Sequence, residues 1–364
     1  MEDRKKNIIM LLGTGINERG WAAIISRYGC VTLLQIGFAK HEETWENGQR
    51  TYSGPEIRLS HRLRSLDDAL LGAINFFRAW GLILRLRRKG PIDLVITGYY
   101  STGLAAIFAQ KLGLVSRTVS FLADYLPPRG SFLVRTHRRI TGWLVKLAAR
   151  WSDEAWVLSS RISTALDIPK SFVEPVSVGH YPAKTQPARV SIGYIGFPSA
   201  DHSLEILFDI AKRHGFPLDI IGASPYLETI RHLAPSNTVF HGVINDEKRI
   251  GEILARCFCS YAIYRDLSPN SYSYYGFPSK TLYSFASNVP VVVTAVAEFN
   301  QEFGRRGVGR VVPPEPAAIE SAILDIKQNY DQYSAAIDRF RDEWNQHVEK
   351  FHAERLAKLL NTTS

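Results

Sequence analysis

The chain has 364 residues, 45% hydrophobic and 22% charged, a make-up that excludes a disordered or collagenous protein and exceeds one comfortable core, so two α/β domains are expected. Its net charge of +9 directs it toward an acidic partner: nucleic acid, an anionic membrane surface or a phosphorylated substrate. Three cysteines, Cys30, Cys257 and Cys259, exclude a disulfide framework, and Cys257-Phe258-Cys259 is too tight for usual zinc spacing, so both read as buried free thiols. No apolar run is long enough to span a bilayer, and Met1 to Lys6 lead into a strand without a signal-peptide core, so a cytoplasmic protein is expected.

Asn7 to Leu12 is a short apolar run followed by Gly13-Thr14-Gly15 and a helical segment from about Arg19 to Tyr28. Strand, glycine turn and helix make a Rossmann-type opening, although the third glycine of the dinucleotide fingerprint is out of register. Val31 to Phe38 reads as the second strand, and Lys40 to Leu59 as a polar, irregular loop with a short strand. Ser65 to Lys89 is a long helix stopped by Pro91; Asp93 to Thr97 is a strand. Gly98-Tyr99-Tyr100-Ser101-Thr102-Gly103 then turns into a helix from Leu104 to Leu112. Arg117 to Leu122 is another strand, ending at Asp124 before Pro127-Pro128.

From Tyr125 to Ser152 there is no acidic residue; Arg135, Arg138, Arg139, Lys146 and Arg150 alternate with Phe132, Leu133, Trp143 and Leu144. Such a helix suits an anionic membrane surface, where arginines meet headgroups and aromatic rings settle in the interface; the alternatives are a solvated basic face or nucleic acid, for which no module signature is present. Glu154 to Leu158 is a strand, and the proline-punctuated stretch from Pro169 to Gln186 reads as an interdomain linker.

A second alternating series follows: strands at Val190 to Ile195, Leu218 to Ile221, Thr238 to His241, Cys257 to Tyr264, Val291 to Thr294 and Gly309 to Val312, with helices between them. Tyr275-Gly276-Phe277-Pro278-Ser279-Lys280 opens a short helix that ends at Ser287-Asn288 before a valine strand. A lysine just past a helix start is placed for an anion, because free N–H groups and the helix dipole add to its charge; Ser279 also serves as an ordinary N-cap. Glu315 to Leu360 is helical nearly throughout, with a break near Tyr330.

Gly196 after the first strand of this series, Ile220-Ile221-Gly222, Phe240-His241-Gly242-Val243 and the Pro278-Ser279-Lys280…Val289-Pro290-Val291-Val292 block together resemble the C-terminal half of GT-B glycosyltransferases, across roughly residues 190 to 312. The resemblance implies an α/β fold of two Rossmann-like domains with a long C-terminal helix. The expected boundaries are an acceptor and membrane-facing domain at 1–178, a nucleotide-sugar donor domain at 188–335, and a helix at 336–364 returning to the first domain. Where the large retaining families carry two glutamates, this chain has Tyr275 and Tyr283, and the usual Arg and Lys after the first strand are replaced by Phe197, Pro198, Asp201 and His202. The retaining mechanism and its usual ribose and pyrophosphate contacts therefore do not carry over unchanged. The pattern is more similar to bacterial galactofuranosyl- and glucosyltransferases of surface-polysaccharide assembly.

On that resemblance Lys280 and the first-turn amides from Ser279 stabilise the diphosphate leaving group, with Arg265 helping from the preceding strand end, unless it forms a surface pair with Asp266. Gly196 at the strand end also belongs to the donor-binding set, Val243 lies beside the base, Tyr283 meets the ribose, and Tyr275 lines the donor pocket or simply packs. Asp124, at a strand end of the first domain, is the candidate general base of an inverting reaction, with an Asx-turn role as the alternative and Glu18 and His241 as weaker candidates. Gly13, Gly15 and Tyr99 are acceptor-side candidates; Arg135, Arg138, Arg139 and Trp143 face the membrane. The expectation is a glycosyltransferase that uses a nucleotide sugar and neither metal nor cofactor, acts on a lipid-linked or polysaccharide acceptor at the inner face of the cytoplasmic membrane, and binds no nucleic acid. A non-catalytic nucleotide-sugar or glycan sensor and a nucleotide-sugar epimerase are the alternatives.

Overall fold

The structure, a computed structural model, describes residues 5–12, 17–35, 39–54, 57–58, 68–123, 125, 127–128, 131–176, 178–179, 189–244, 246–277 and 279–361. The chain divides into two compact units, Met1–Ser177 with His347–Ser364, and Val178–Gln346.

In the first unit the elements run β1 (Asn7–Leu12), α1 (Asn17–Ile25), β2 (Cys30–Gln35), β3 (Ala39–Glu46), β4 (Gln49–Ser53), β5 (Ile57–Arg58), α2 (Asp68–Arg87), β6 (Ile92–Thr97), α3 (Tyr100–Lys111), β7 (Val115–Leu122), α4 (Phe132–Trp151), β8 (Glu154–Val157), α5 (Ser160–Leu166) and β9 (Ser171–Val173). The sheet order is β4-β3-β2-β1-β6-β7-β8-β9, with β5 pairing β3. From β2 to β9 the pairings are parallel. β1 and β6 are apolar on both faces and almost wholly buried, as a parallel sheet covered by helices requires.

The stretch expected as an irregular loop after Lys40 is instead an antiparallel hairpin, β3 with β4. Asn47 and Gly48 form its turn at φ 50° and 81°, the left-handed pair that a two-residue hairpin favours. Charged residues hid the strands, since β3 reads Ala-Lys-His-Glu-Glu-Thr-Trp-Glu and β4 is exposed throughout. The hairpin carries a buried carboxylate, Glu43. Burial pushes this group up, but Arg19 beside it and hydrogen bonds from Arg50, Trp45 and His41 bring it below the usual carboxylate range. Among its described residues, the proline-punctuated stretch contains a strand, β9, which extends the sheet beyond β8. α3 starts at Tyr100, four residues before the expected Leu104, because Gly103 is accommodated inside its first turns.

The second unit contains β10 (Ser191–Ile195), a 3-10 turn at Ala200–His202, α6 (Leu204–His214), β11 (Leu218–Ile221), α7 (Pro225–Ile230), β12 (Thr238–Gly242), α8 (Glu247–Leu254), β13 (Cys257–Ala262), α9 (Tyr272–Tyr275), α10 (Ser279–Ala286), β14 (Val291–Val293), α11 (Asn300–Arg305), β15 (Gly309–Val311) and α12 (Pro316–Gln328). Its sheet runs β12-β11-β10-β13-β14-β15, parallel throughout. This is the Rossmann order, in which succession reverses direction between the first strand and the fourth, here between β10 and β13.

α13 (Tyr330–Asn361) follows a break at Asn329, close to the expected position. Its first half packs in the second unit, where Phe340 meets Phe285 of α10 and Phe303 of α11. Residues from His347 belong to the first unit: fully buried His352 donates from Nδ1 to the Val348 carbonyl, and its Nε2 lies 2.7 Å from Glu174, whose carboxyl burial pushes up. No helix of the described residues is long and apolar enough to cross a membrane.

Candidate functional site

Three successive strands of the second unit end in glycine at positive φ: Gly196 at 132°, Gly222 at 133° and Gly242 at 68°. The Gly196 amide donates to the Ile221 carbonyl and the Gly222 amide to the Gly242 carbonyl, so the strand ends lie side by side. A Cβ on Gly222 would sit 1.8 Å from the Gly196 carbonyl oxygen, which forbids any side chain there. The result is a backbone-lined edge at the carboxyl ends of the strands, where open α/β sheets bind ligands.

Lys280 points into this edge at the switch point. Its Nζ is buried without a hydrogen-bond partner, 5.1 Å from the ring centre of Tyr194 on β10 and 4.7 Å from that of Tyr264 just beyond β13. A Cβ on Gly196 would meet Lys280 Cε at 3.5 Å and Nζ at 3.6 Å, so the lysine tip rests against bare backbone. Aromatic faces partly compensate an ammonium by cation–π attraction but supply no hydrogen-bond acceptor. A buried cation with unmet donors is suited to an anion.

The surroundings of Lys280 are rigidly tied. Tyr194 is fully buried, and burial raises its hydroxyl well above the ordinary tyrosine range. His202 is held neutral, pushed down to about 3 by burial and by the nearby Lys280 charge. Tyr194 Oη and His202 Nδ1 are hydrogen-bonded at 2.8 Å, which ties the neutral ring to β10. Tyr261 Oη donates to the Ser203 carbonyl, Asp201 accepts the Asp266 amide, and the Arg265 amide donates to the Asp201 carbonyl. These bonds fix the segment from Gly196 to Ser203 against β13 and the turn after it.

α10 is fixed from behind. Phe285 stacks edge-on against Phe303, Arg341 donates to the Phe285 carbonyl near the helix end, and Tyr330 Oη donates to the Asn288 carbonyl in the turn. Asn288 takes the left-handed conformation, φ 57°, as the turn after the helix requires.

The expected residues fall into distinct sets. Gly196 and Lys280 are together. Ser279 is exposed at the helix start, but its amide already donates to the Phe277 carbonyl and is not free for an anion. Arg265 does not pair with Asp266: its Nε donates to Ser203 Oγ at 2.8 Å and its guanidinium faces Glu205 at 3.4 Å. Tyr283 packs against the Ile195, Ile221 and Val289 cluster, and Tyr275 is buried against the Tyr274 ring. Val243 is exposed just beyond β12. His241 is bonded to Asp219 at 2.7 Å, a carboxylate that Ser191 and Arg256 also engage.

In the first unit Tyr99 is the exposed N-cap residue of α3. Gly13, Gly15 and Asp124 lie outside the described residues, as does the Glu18 side chain. Arg135, Arg139 and Trp143 are exposed on α4, whereas Arg138 donates to the Pro127 carbonyl. Tyr194, Tyr264 and the tethering His202 are the site residues that sequence reading missed. The available signal was a tyrosine in an otherwise apolar buried strand, whose hydroxyl must find a partner.

No protein-family model matches the chain, and no curated protein sequence matches it significantly. Solved structures do match along its whole length. Sucrose-phosphate synthase from Thermosynechococcus elongatus aligns with a TM-score of 0.72 at 14% identity, covering 99% of this chain and 100% of that one. HepE from Anabaena, in complex with UDP and glucose, aligns at 0.64 and 14% identity, covering 99% and 100%. The lipopolysaccharide outer core galactosyltransferase WaaB, in its apo form, aligns at 0.57 and 14%, covering 96% and 98%. The fold is thus the GT-B architecture expected from the strand-end glycines and the Pro-Ser-Lys block.

Proposed function

We propose that the protein is a glycosyltransferase that takes its sugar from a nucleotide-diphosphate donor and passes it to a lipid-linked or polysaccharide acceptor. The observation that carries the reading is Lys280, whose buried, hydrogen-bond-free ammonium lies at the switch point of a Rossmann sheet. As the glycosidic bond breaks, negative charge grows on the departing diphosphate, and a cation already in place lowers that barrier without reorganising. Support comes from the neighbours, one of which holds UDP and glucose on the same fold. Lys280 supplies the charge in a metal-independent reaction, Val243 borders the nucleobase, and the outcome is inversion with Asp124 as general base. The protein works at the cytoplasmic face of a membrane, which α4 touches through Arg135, Arg139 and Trp143.

A second reading, a nucleotide-sugar sensor, is favoured by one observation: Tyr275 and Tyr283 replace the paired glutamates and are engaged in packing. An epimerase on the same fold is the third. Incubation with a panel of nucleotide sugars, with and without extracted acceptor lipid, separates them. Acceptor-dependent nucleotide release is the expected result; sugar interconversion marks an epimerase, and tight binding without turnover a sensor. Asp124→Asn should abolish transfer while leaving donor affinity intact, and an active variant removes the inverting assignment.

A further inference from the structure

The first unit contains a cavity of about 690 Å³ in the wall formed by α2, α3 and the end of α4. Its apolar lining is Phe76, Leu104, Ile107, Phe108 and Trp151, with Lys111 and Arg150 completing it. The volume falls within the roughly 300–1,000 Å³ typical of small-ligand sites. No lining side chain offers a hydroxyl, carboxylate or carboxamide, so a sugar's hydroxyl protons would find no side-chain acceptor there, and only Lys111 and Arg150 at one side could donate to its oxygens. A hydrocarbon chain loses nothing.

The cavity opens beside a surface of the same character. At 100° per residue, Phe132, Leu133, Ile140, Trp143 and Trp151 share one flank of α4, and each is more than half exposed. Arg135, Arg139, Lys146 and Arg150 share the adjoining flank, and the helix contains no acidic residue. Phe77 of α2, Phe108 of α3 and Leu112 just after α3 are exposed as well. Lys146 and Arg150 meet Asp167, whereas no ion pair of Lys111 is found among the described residues.

We infer that this cavity binds one hydrocarbon chain of an anionic glycerophospholipid, with the chain between α2, α3 and Trp151 and the headgroup phosphate beside Lys111. The inference deepens the membrane-facing part of the proposed function. It supplies what a flat amphipathic helix lacks: a specific hold on a single lipid, where surface charge alone is screened by salt. Pocket and headgroup cation together select acidic over zwitterionic lipid.

The test uses lysophosphatidylglycerol carrying a diazirine at the chain end, supplied below its micellar concentration to the full-length protein, with labelled peptides mapped by mass spectrometry. Labelling is expected within residues 104–111, reduced at least tenfold by Leu104→Trp, which fills the cavity. It should be competed at least tenfold better by unlabelled lysophosphatidylglycerol than by lysophosphatidylcholine. Absent labelling, labelling spread along α4 away from the cavity-lining Arg150 and Trp151 or over the second unit, or equal competition by the two lipids overturns the proposal. Phe108→Asp, at an exposed position, repeats the loss where the tryptophan variant misfolds. Separate vesicle sedimentation and nucleotide-release assays keep the readings apart: labelling without sedimentation refutes membrane docking but leaves the lipid site standing.

Discussion

The chain holds positive charge in two contrasting ways. On α4 the cations are numerous and exposed, and they stand next to aromatic rings in water. In the second unit one ammonium, that of Lys280, is buried against two tyrosine faces and bare strand-end backbone with no hydrogen-bond acceptor. Water and salt moderate each charge on α4, so that surface acts by summation and tolerates single losses. The Lys280 ammonium is buried away from both, so an anion placed beside it would interact strongly. A surface charge can attract any acidic layer, whereas a buried one with fixed neighbours recognises a group of defined place and size.

The largest effect expected from this contrast is on Lys280→Ala, which should slow transfer by a hundredfold or more, the scale on which loss of one transition-state charge donor acts. Nucleotide release under saturating acceptor measures it, with intact near-ultraviolet circular dichroism as the control for folding. Removal of a buried, unbonded ammonium should also leave the ligand-free protein at least as stable as before, because nothing then has to desolvate a charge.

Next is Gly222→Ala, which tests the backbone edge rather than the cation. The added Cβ meets the Gly196 carbonyl and the residue must keep φ 133°, so about 3 kcal/mol of stability should be lost, read as a lowered urea midpoint. An unchanged midpoint would mean that the strand ends are not packed as described.

On α4, Arg135→Glu with Arg139→Glu should weaken sedimentation with acidic vesicles by about 2 kcal/mol or more, at about 1 kcal/mol per basic residue, and flatten the salt dependence. Arg138 is left in place because it also holds the Pro127 carbonyl. Retained sedimentation would confine the basic helix to a solvated role.

The pH dependence of stability supplies a separate test, at His202. Its folded pKa of about 3 lies below the ordinary value of 6.5, so between those values the unfolded chain carries a proton that the native one lacks. Stability should therefore rise with pH through that window and level off above it, and His202→Gln should remove this component from the urea midpoint. In Lys280→Met the imidazole loses its second depressing cause, and NMR titration should find its pKa higher than in the wild type.

Much of this was legible in the sequence because periodicity and glycine placement carry it. β11 coincides with the residues its pattern marks, and Gly196, Gly222 and Gly242 identify the strand ends. The hairpin of β3 and β4 was hidden by charged residues, although Asn47-Gly48 was its signal. At the site, Lys280 stood out as a charge at a helix start. Its cradle did not, because Tyr194, Tyr264 and His202 are separated from it by 16 to 86 positions and meet only through the strand order. The partner of Arg265 was also beyond sequence reasoning, since Ser203 and Glu205 reach it across the sheet.

The most direct measurement is a calorimetric titration of a nucleoside diphosphate panel, with the matching nucleosides, into wild type and Lys280→Met. The account predicts that at least one diphosphate binds wild type tenfold or more tightly than its nucleoside, and that the difference disappears in the variant. Equal diphosphate affinity in the two proteins would contradict the assignment of Lys280 as the anion-binding group.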